Sequence, residues 1–420
     1  MSKIAGKKVA ISGLGLVTSL GISLAESFSN LCSGQSGIRQ LRPESDRPDH
    51  ATQNGAFGYP VDLARLGHDS FWDDPVFAIL AKSLEEAVDQ AHIDFASVEP
   101  ERIAVVVGLS KGAVRLKSRW AENPSEFARH PLARNLGLAG VAPSSGATFI
   151  ASKTGARGPV LAPITACATG LTCVRVAAGL LQEGACDIAI AGAADASFIP
   201  MIDAAFRRMK ALAGPIDDAE PPSAWIRPWS AARNGFLIGE GGALFVLERE
   251  ADVKASGRDA LARLTGWSAG SEAHHPTRPN ASSDVLARVV RESMSRPDDI
   301  PGAIHLHATG TREFDALEAS AIRQAFGADH ERIHMLASKS QIGHCLGAAG
   351  AVELAIACGS LINGILPPFD PRPPFDFGHC GKPTGPRPVA YPTRSIVKIV
   401  AGFGGHIEAC HLAAAAKSHS

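Results

Sequence analysis

Short apolar runs recur along the chain at 9–11, 103–107, 187–192, 243–247, 303–306 and 395–400. None alternates cleanly with polar residues, so each predicts a strand buried on both faces. Between them the spacing changes. Phe77, Leu80, Leu84 and Val88 recur at helical intervals behind Asp74-Pro75, an N-cap followed by a first-turn proline. Small-residue helices are predicted from Leu171 to Leu181 and up to Leu361, and further helices over 22–32 and around 316–326. The first strand is expected to end in a glycine turn at Gly13 and Gly15. The Pro-rich 214–230 and the polar 39–59 read as loops. Strands alternating with helices predict an α/β protein with mainly parallel strands.

The pattern runs through twice. Cys167-Ala168-Thr169-Gly170-Leu171 and His344-Cys345-Leu346-Gly347-Ala348 each lead a small-residue helix, 177 residues apart. IAVVVG at 103 likewise pairs with AIHLHATG at 303. Two similar halves follow, 1–255 and 256–420. Facing each other, they would bring two helix N-termini to one site, one carrying a cysteine and the other a histidine.

Composition narrows the class. The chain has 420 residues, 45% hydrophobic and 20% charged, with a net charge of −1. Neutrality gives no support for nucleic-acid or membrane-surface binding. The eight cysteines show no CxxC spacing, so they are expected to be reduced, in a cytoplasmic protein. Lysines 3, 7 and 8 before an apolar stretch resemble a short signal peptide. The glycines and Ser12 that break the stretch favour a strand instead. No apolar run of membrane-spanning length stands out.

Candidate chemistry centres on Cys167, set between an apolar run and a predicted helix. Unpaired amides at a helix start favour a thiolate and predict a lowered thiol pKa. His307 and His344, both in small-residue turns, offer groups to handle a proton or an incipient anion. The glycine turn around Phe403 offers backbone donors for an oxyanion.

The motifs TACATG, HATGT, SKSQIGHCLGAAGA, RPWSAARNGFLIGEGG and GFGG occur in this order. In that order they resemble the β-ketoacyl-acyl-carrier-protein synthases, in particular the elongating Cys-His-His condensing enzymes and polyketide ketosynthases. The resemblance implies a thiolase-like fold, two α/β halves in a five-layer αβαβα arrangement. It implies that Cys167 takes an acyl chain from a carrier-protein thioester. His307 and His344 would stabilise the enolate formed when malonyl-carrier protein loses carbon dioxide. The carbanion would then attack acyl-Cys167. By the same resemblance the amides of Cys167 and Phe403 form the oxyanion hole, and Phe403 gates access. Lys339 and Glu318 form a supporting ion pair, and Thr309 and Thr311 bind the phosphopantetheine arm. No cofactor is implied beyond that arm, which the carrier protein supplies, and no metal. The implied partners are an acyl carrier protein and a second subunit. That subunit is a copy of this chain, or a related ketosynthase or chain-length factor in a heterodimer.

The departures fall around the site. Ala308 stands where the family has glycine, and Ile399-Val400-Ala401 where it has Asn-Ser-Phe. His406 is an added titratable group that either tunes the site or points away. Lys111 falls where an apolar residue lines the acyl tunnel, so the tunnel is short or polar, or Lys111 turns to solvent. The basic docking run near residue 70 is missing, leaving Arg207, Arg208 and Lys210 as candidates for an acidic partner. Two other readings stay open: a chain-length-factor-like partner that does not condense, and a thiolase acting on free coenzyme A.

Overall fold

The computed structural model describes residues 8–41, 57–67, 72–296, 299–371, 375–392 and 395–415. Ten strands carry the architecture: β1 Val9–Val17, β2 Ile103–Gly108, β3 Val160–Leu161, β4 Ile188–Asp195, β5 Gly241–Arg249, β6 Ala262–Ser271, β7 Ala303–His305, β8 His334–Leu336, β9 Ser395–Gly402 and β10 His406–Ala414. Their order is β3-β2-β4-β5-β1 in the first set and β8-β7-β9-β10-β6 in the second. Each strand of one set therefore occupies the place of the strand five later in the other, so the duplication is real. The sets meet where β1 pairs with β6 over Val9–Ile11, and Lys382–Pro383 extends the sheet beyond β8.

The strands are mixed rather than mainly parallel. β2 pairs in parallel with β3 and β4, but β4–β5 and β5–β1 are antiparallel, and the second set repeats this. Parallel pairs need a crossover, whereas β9 and β10 are joined by a tight glycine turn that only antiparallel strands permit.

The helices that matter are α1 Leu24–Cys32, α2 Pro75–Ala91, α3 Thr169–Glu183, α4 Pro200–Arg208, α5 Arg312–Phe326, α6 Lys339–Ile342 and α7 Ala349–Asn363. Asp74 caps α2 by accepting from the Val76 amide. α3 packs on β2 and β4, α7 on β9, and the two helices pack on each other between the two strand sets; α2 covers β1 and β5, and Asp284–Ser293 covers β6 and β10. These are the helical and sheet layers of a thiolase-like fold.

The two central helices show the repeat in detail. Each has fifteen residues, follows a 3-10 turn (Ala166–Ala168 or Leu346–Ala348) and ends on a left-handed glycine (Gly184 or Gly364). Every one of these features recurs 180 residues later, including the left-handed Ala166 (φ 50°) and Leu346 (φ 43°). The register of 177 expected from the sequence is thus corrected to 180. The counterpart of Cys167 is Gly347, not His344, because the turn geometry and not the polar residue is what repeats. The helices cross at Gly170 and Gly350, where a Cβ on the first would lie 2.7 Å from the Ala351 amide and on the second 2.9 Å from that of Leu171. Only hydrogen at both positions permits this approach.

β1 also departs from expectation. It runs through Gly13 and Gly15 to Val17 instead of turning there. The glycines serve packing, since a Cβ at Gly15 would lie 1.9 Å from the Ser83 carbonyl oxygen of α2. Gly15→Ala should therefore destabilise the fold by about 1–3 kcal/mol, the range for forcing a methyl into a filled interior. Urea denaturation checks this; an unchanged midpoint would mean that α2 can move away.

Leu346–Asn363 is apolar enough over 18 residues to cross a membrane by composition, which the sequence reading passed over. It is 83% buried inside the protein, as a core helix is. The stretch 111–135, which the sequence shows as basic, is only partly a solvated face: Arg129 and Arg134 are exposed, whereas three of its cations are held in ion pairs. Lys111 is paired with Asp195, Arg115 with buried Glu240, and Arg119 with Asp73 and Glu126. Of the region around residue 70, His68–Phe71 lie outside the described residues, as does most of 39–59.

Candidate active site

The site is assembled from both halves. Cys167 sits in the 3-10 turn that opens α3, directly after the left-handed Ala166. A non-glycine residue in that region costs about 1–2 kcal/mol, strain that positions the thiol at the turn. The β9–β10 turn lies against it: a Cβ at Gly402 would be 2.5 Å from the Thr165 carbonyl and 3.1 Å from the Cys167 amide nitrogen. Glycine there lets the turn that carries Phe403 close onto the Cys167 amide. Neither that amide nor the Phe403 amide donates to a protein acceptor among the described residues.

A cavity of about 1150 Å³ opens over these groups. Cys167, His307, His344, Thr309, Thr311 and Phe403 all line it, as do Arg208 and Lys210 at the end of α4. The His307 and His344 rings are 5.5 Å apart, nearly perpendicular, and both residues are buried. His307 also meets Phe314, and His344 meets Phe236. Thr309 and Thr311 share a 3.0 Å hydrogen bond between hydroxyls. Phe403 is 37% exposed, with its ring 6.3 Å from Phe206, and no second phenylalanine stands at 401. His406 faces the cavity too, so it does not point away. Arg207 turns aside to Asp203 and is not among the lining residues.

Two sequence expectations need correction. Lys339 does not pair with Glu318. Its ammonium is held by Glu353 of α7 and the His307 carbonyl, and it lies 3.4 Å from His307 Nδ1. Glu318 instead accepts from the backbone amides of His307 (2.6 Å) and Ala308 (3.0 Å) and from the Trp229 indole. The amides claim Glu318 because the chain turns sharply there, with Ala308 at φ 41°. The second correction concerns Lys111, which does not line the cavity. Its ammonium is 2.6 Å from Asp195 and 2.7 Å from the Ser110 hydroxyl, and its side chain is only partly buried, so no unpaired cation is buried there. Asp195 is buried and also accepts from the Gly347 amide, so it ties Lys111 to the Leu346–Ala348 turn, the counterpart of the cysteine turn.

Sequence reasoning missed Glu353 and Lys398. Each leaves a trace: one carboxylate in the small apolar helix AVELAIA, and one lysine in the strand SIVKIV. A lone charge in a run buried on both faces must have a partner. It also missed Arg278 and Arg312, two further cations lining the cavity.

The electrostatics are set by burial. Burial pushes the Cys167 thiol up to about 11, against the pull of the Lys111 and Lys339 charges. Burial thus acts against the lowering expected from the helix start. Burial, then Lys339, holds His307 and His344 well below the ordinary imidazole value, so both rings are neutral at pH 7. An ammonium only donates, so Lys339 meets the lone pair of His307 Nδ1 and the ring proton resides on Nε2. His307 is therefore a fixed neutral donor. Glu318 is pushed up by burial, and Asp315, which accepts from the Gly310 and Trp229 amides, rises to about 7.

A half-buried thiol at a strained turn, two neutral imidazoles and two free amides on one cavity in a thiolase-like fold define a ketosynthase-type site. Residues 6–253 match the model for "Beta-ketoacyl synthase, N-terminal domain" and 261–370 that for "Beta-ketoacyl synthase, C-terminal domain". The chain belongs to the β-ketoacyl synthase family, a group of acyltransferases. It is 30% identical to a chloroplastic 3-oxoacyl-[acyl-carrier-protein] synthase I of Arabidopsis thaliana, over 88% of this chain and 80% of that one. It is 29% identical to the tetracenomycin polyketide synthase ketoacyl synthase alpha subunit of Streptomyces glaucescens, over 98% of both. The fold superposes with a TM-score of 0.82 on the ishigamide ketosynthase/chain length factor, at 26% identity over 98% of this chain and 100% of the other.

Proposed function

We propose that the protein is a condensing enzyme that joins an acyl group on Cys167 to malonyl-carrier protein by decarboxylative Claisen condensation. The observation that carries this is the convergence of Cys167 with two neutral histidines on one cavity, one of them locked as an Nε2–H donor by Lys339. In the first step Cys167 sulfur attacks the acyl thioester, the C–S bond to the carrier arm breaks, and the cysteine proton is passed to the departing sulfur, which leaves as the carrier-protein thiol. The Cys167 and Phe403 amides would hold the tetrahedral oxyanion. In the second step the malonyl C–C bond breaks, carbon dioxide leaves, and the electron pair enters an enolate held by His307 and His344. The enolate carbon then attacks the acyl-Cys167 carbonyl and expels the cysteine thiolate, giving a β-ketoacyl thioester.

Thr309, buried, and Thr311, partly buried, would bind the phosphopantetheine arm, and the exposed Arg208 and Lys210 that line the same cavity would face an acidic carrier protein. The arm is the only prosthetic group the scheme needs. A second subunit, identical or related, completes the assembly. The intact Cys167 counts against a non-condensing chain-length-factor role.

The test is intact-mass analysis after incubation with acyl-carrier protein. One acyl group should appear on the protein and map to Cys167. No adduct with any acyl chain offered, from acetyl to long-chain, would overturn the proposal.

A further inference from the structure

The charge beneath the histidines is larger than one lysine and one carboxylate. Lys398 is the single charged residue of β9, flanked by fully buried Ile396, Val397, Ile399 and Val400. Its ammonium, itself fully buried, lies 2.5 Å from Glu353 Oε2, in a close ion pair without hydrogen-bond alignment. It also donates to the Leu306 carbonyl at 3.0 Å and reaches that of His305 at 3.5 Å. Lys339 takes the other Glu353 oxygen and the His307 carbonyl. Two ammoniums joined by one carboxylate thus hold consecutive carbonyls, 306 and 307. On the opposite side Glu318 holds the consecutive amides 307 and 308. The backbone carrying His307 is clamped from both sides, at a point where Ala308 is forced left-handed. Such strain persists only where surrounding contacts over-determine it.

We propose that Lys398 is a positioning residue for His307: by holding Leu306 and the second oxygen of Glu353 it keeps Lys339 seated on His307 and so fixes the tautomer of that ring. This rests on the reading of His307 as an enolate-stabilising group, but the geometry does not depend on turnover. The charged or titratable groups packed around Lys398 are Glu353 from α7, Lys339 from α6, Glu318 from α5, His305 and His307 from the β7 segment, and Cys410, its register partner on β10. Lys398 also supplies positive charge that lowers His307 and His344, in addition to burial and Lys339.

The experiment compares the protein with its Lys398→Met variant in two ways. The first is nitrogen NMR of histidine-labelled protein across pH, with the His307 signal identified by its loss in His307→Ala. The second is separate measurement of Cys167 acylation and of malonyl-carrier-protein decarboxylation. The unaltered protein should show one Nε2–H tautomer of His307 throughout the neutral range. The variant should show a mixture of tautomers and titration of His307 at higher pH. Decarboxylation should fall about tenfold, which is about 1.4 kcal/mol of barrier, with KM for malonyl-carrier protein within about twofold and acylation affected less. The loss on removing Lys398 should also shrink in a Glu353→Gln background, since it is transmitted through Glu353. An unchanged tautomer and titration in folded Lys398→Met overturns the proposal. So does an equal loss of both half-reactions with an unchanged NMR signature. Lys398→Gln, which keeps a donor to Leu306, serves if the methionine variant does not fold; if neither folds, the lysine is structural and the proposal fails. If the unaltered protein decarboxylates nothing, the functional reading falls, and the NMR comparison still decides the positioning claim.

Discussion

Cys167→Ala should abolish condensation, lowering it about 10⁴-fold or more, because Cys167 is the one thiol among the residues lining the cavity. Decarboxylation of malonyl-carrier protein should survive, since the proposed mechanism gives enolate stabilisation to His307 and His344 and not to sulfur. The converse variant, His307→Ala, should still acquire an acyl group on Cys167 while losing decarboxylation. The two half-reactions are therefore separable by mutation. Measuring acyl adduct, carbon dioxide and product for each variant checks this. Loss of decarboxylation in Cys167→Ala together with retained folding would show that the division of labour is wrong. The separation follows from topology: Cys167 comes from the first half and both histidines from the second, each on its own turn.

Glu353→Gln should produce the largest loss of stability, about 3–5 kcal/mol, as expected when one member of a buried ionic cluster is removed. Glu353 is 2% exposed and lies between the fully buried Lys339 and Lys398. Without its charge two ammoniums face each other away from water. The pH dependence has a definite sign. Burial lowers Lys398 to about 8 from an ordinary 10.5, despite the opposing pull of Glu353. The unfolded chain therefore holds this proton more tightly than the folded one. The cost of burying it is fully present below about pH 8 and is relieved as pH rises toward 10.5. The deficit of Glu353→Gln relative to the unaltered protein should be largest at neutral pH and shrink toward pH 10. Denaturant midpoints across that range test this. A loss below about 1 kcal/mol at pH 7 would show that water or a movement of the lysines replaces the carboxylate.

The parts of the site that touch the cavity were legible in the sequence, and the parts that hold them in place were not. Cys167, His307, His344 and Phe403 stand in turns between apolar runs, where a reactive side chain has no packing reason to be. The cluster beneath them was misread because its members are joined by the fold and not by spacing. Lys339 finds Glu353 across the turn between α6 and α7, and Glu353 finds Lys398 on β9 only once the sheet has formed. Glu318 was a plausible partner by resemblance, yet the amides around left-handed Ala308 take it first. The same cause explains the register. Sequence comparison matched a polar residue with a polar residue, Cys167 with His344, whereas the backbone repeats its left-handed residue and glycine cap 180 positions on. The glycines of β1 looked like a turn because their real reason, the close approach of α2, is a long-range contact. Likewise the alternation of strands and helices showed an α/β fold but not that one strand of each set, β5 or β10, runs against the other four.

The central claim is that Cys167 and the two histidines together form a carbon–carbon bond. A single-turnover experiment tests it most directly. Protein loaded with an acyl group on Cys167 is freed of excess acyl-carrier protein and then mixed with malonyl-carrier protein. The adduct should vanish at the rate at which carbon dioxide and a β-ketoacyl-carrier protein longer by two carbons appear, in equal amounts. Release of the acyl group as free acid, with no lengthened product, would contradict the account.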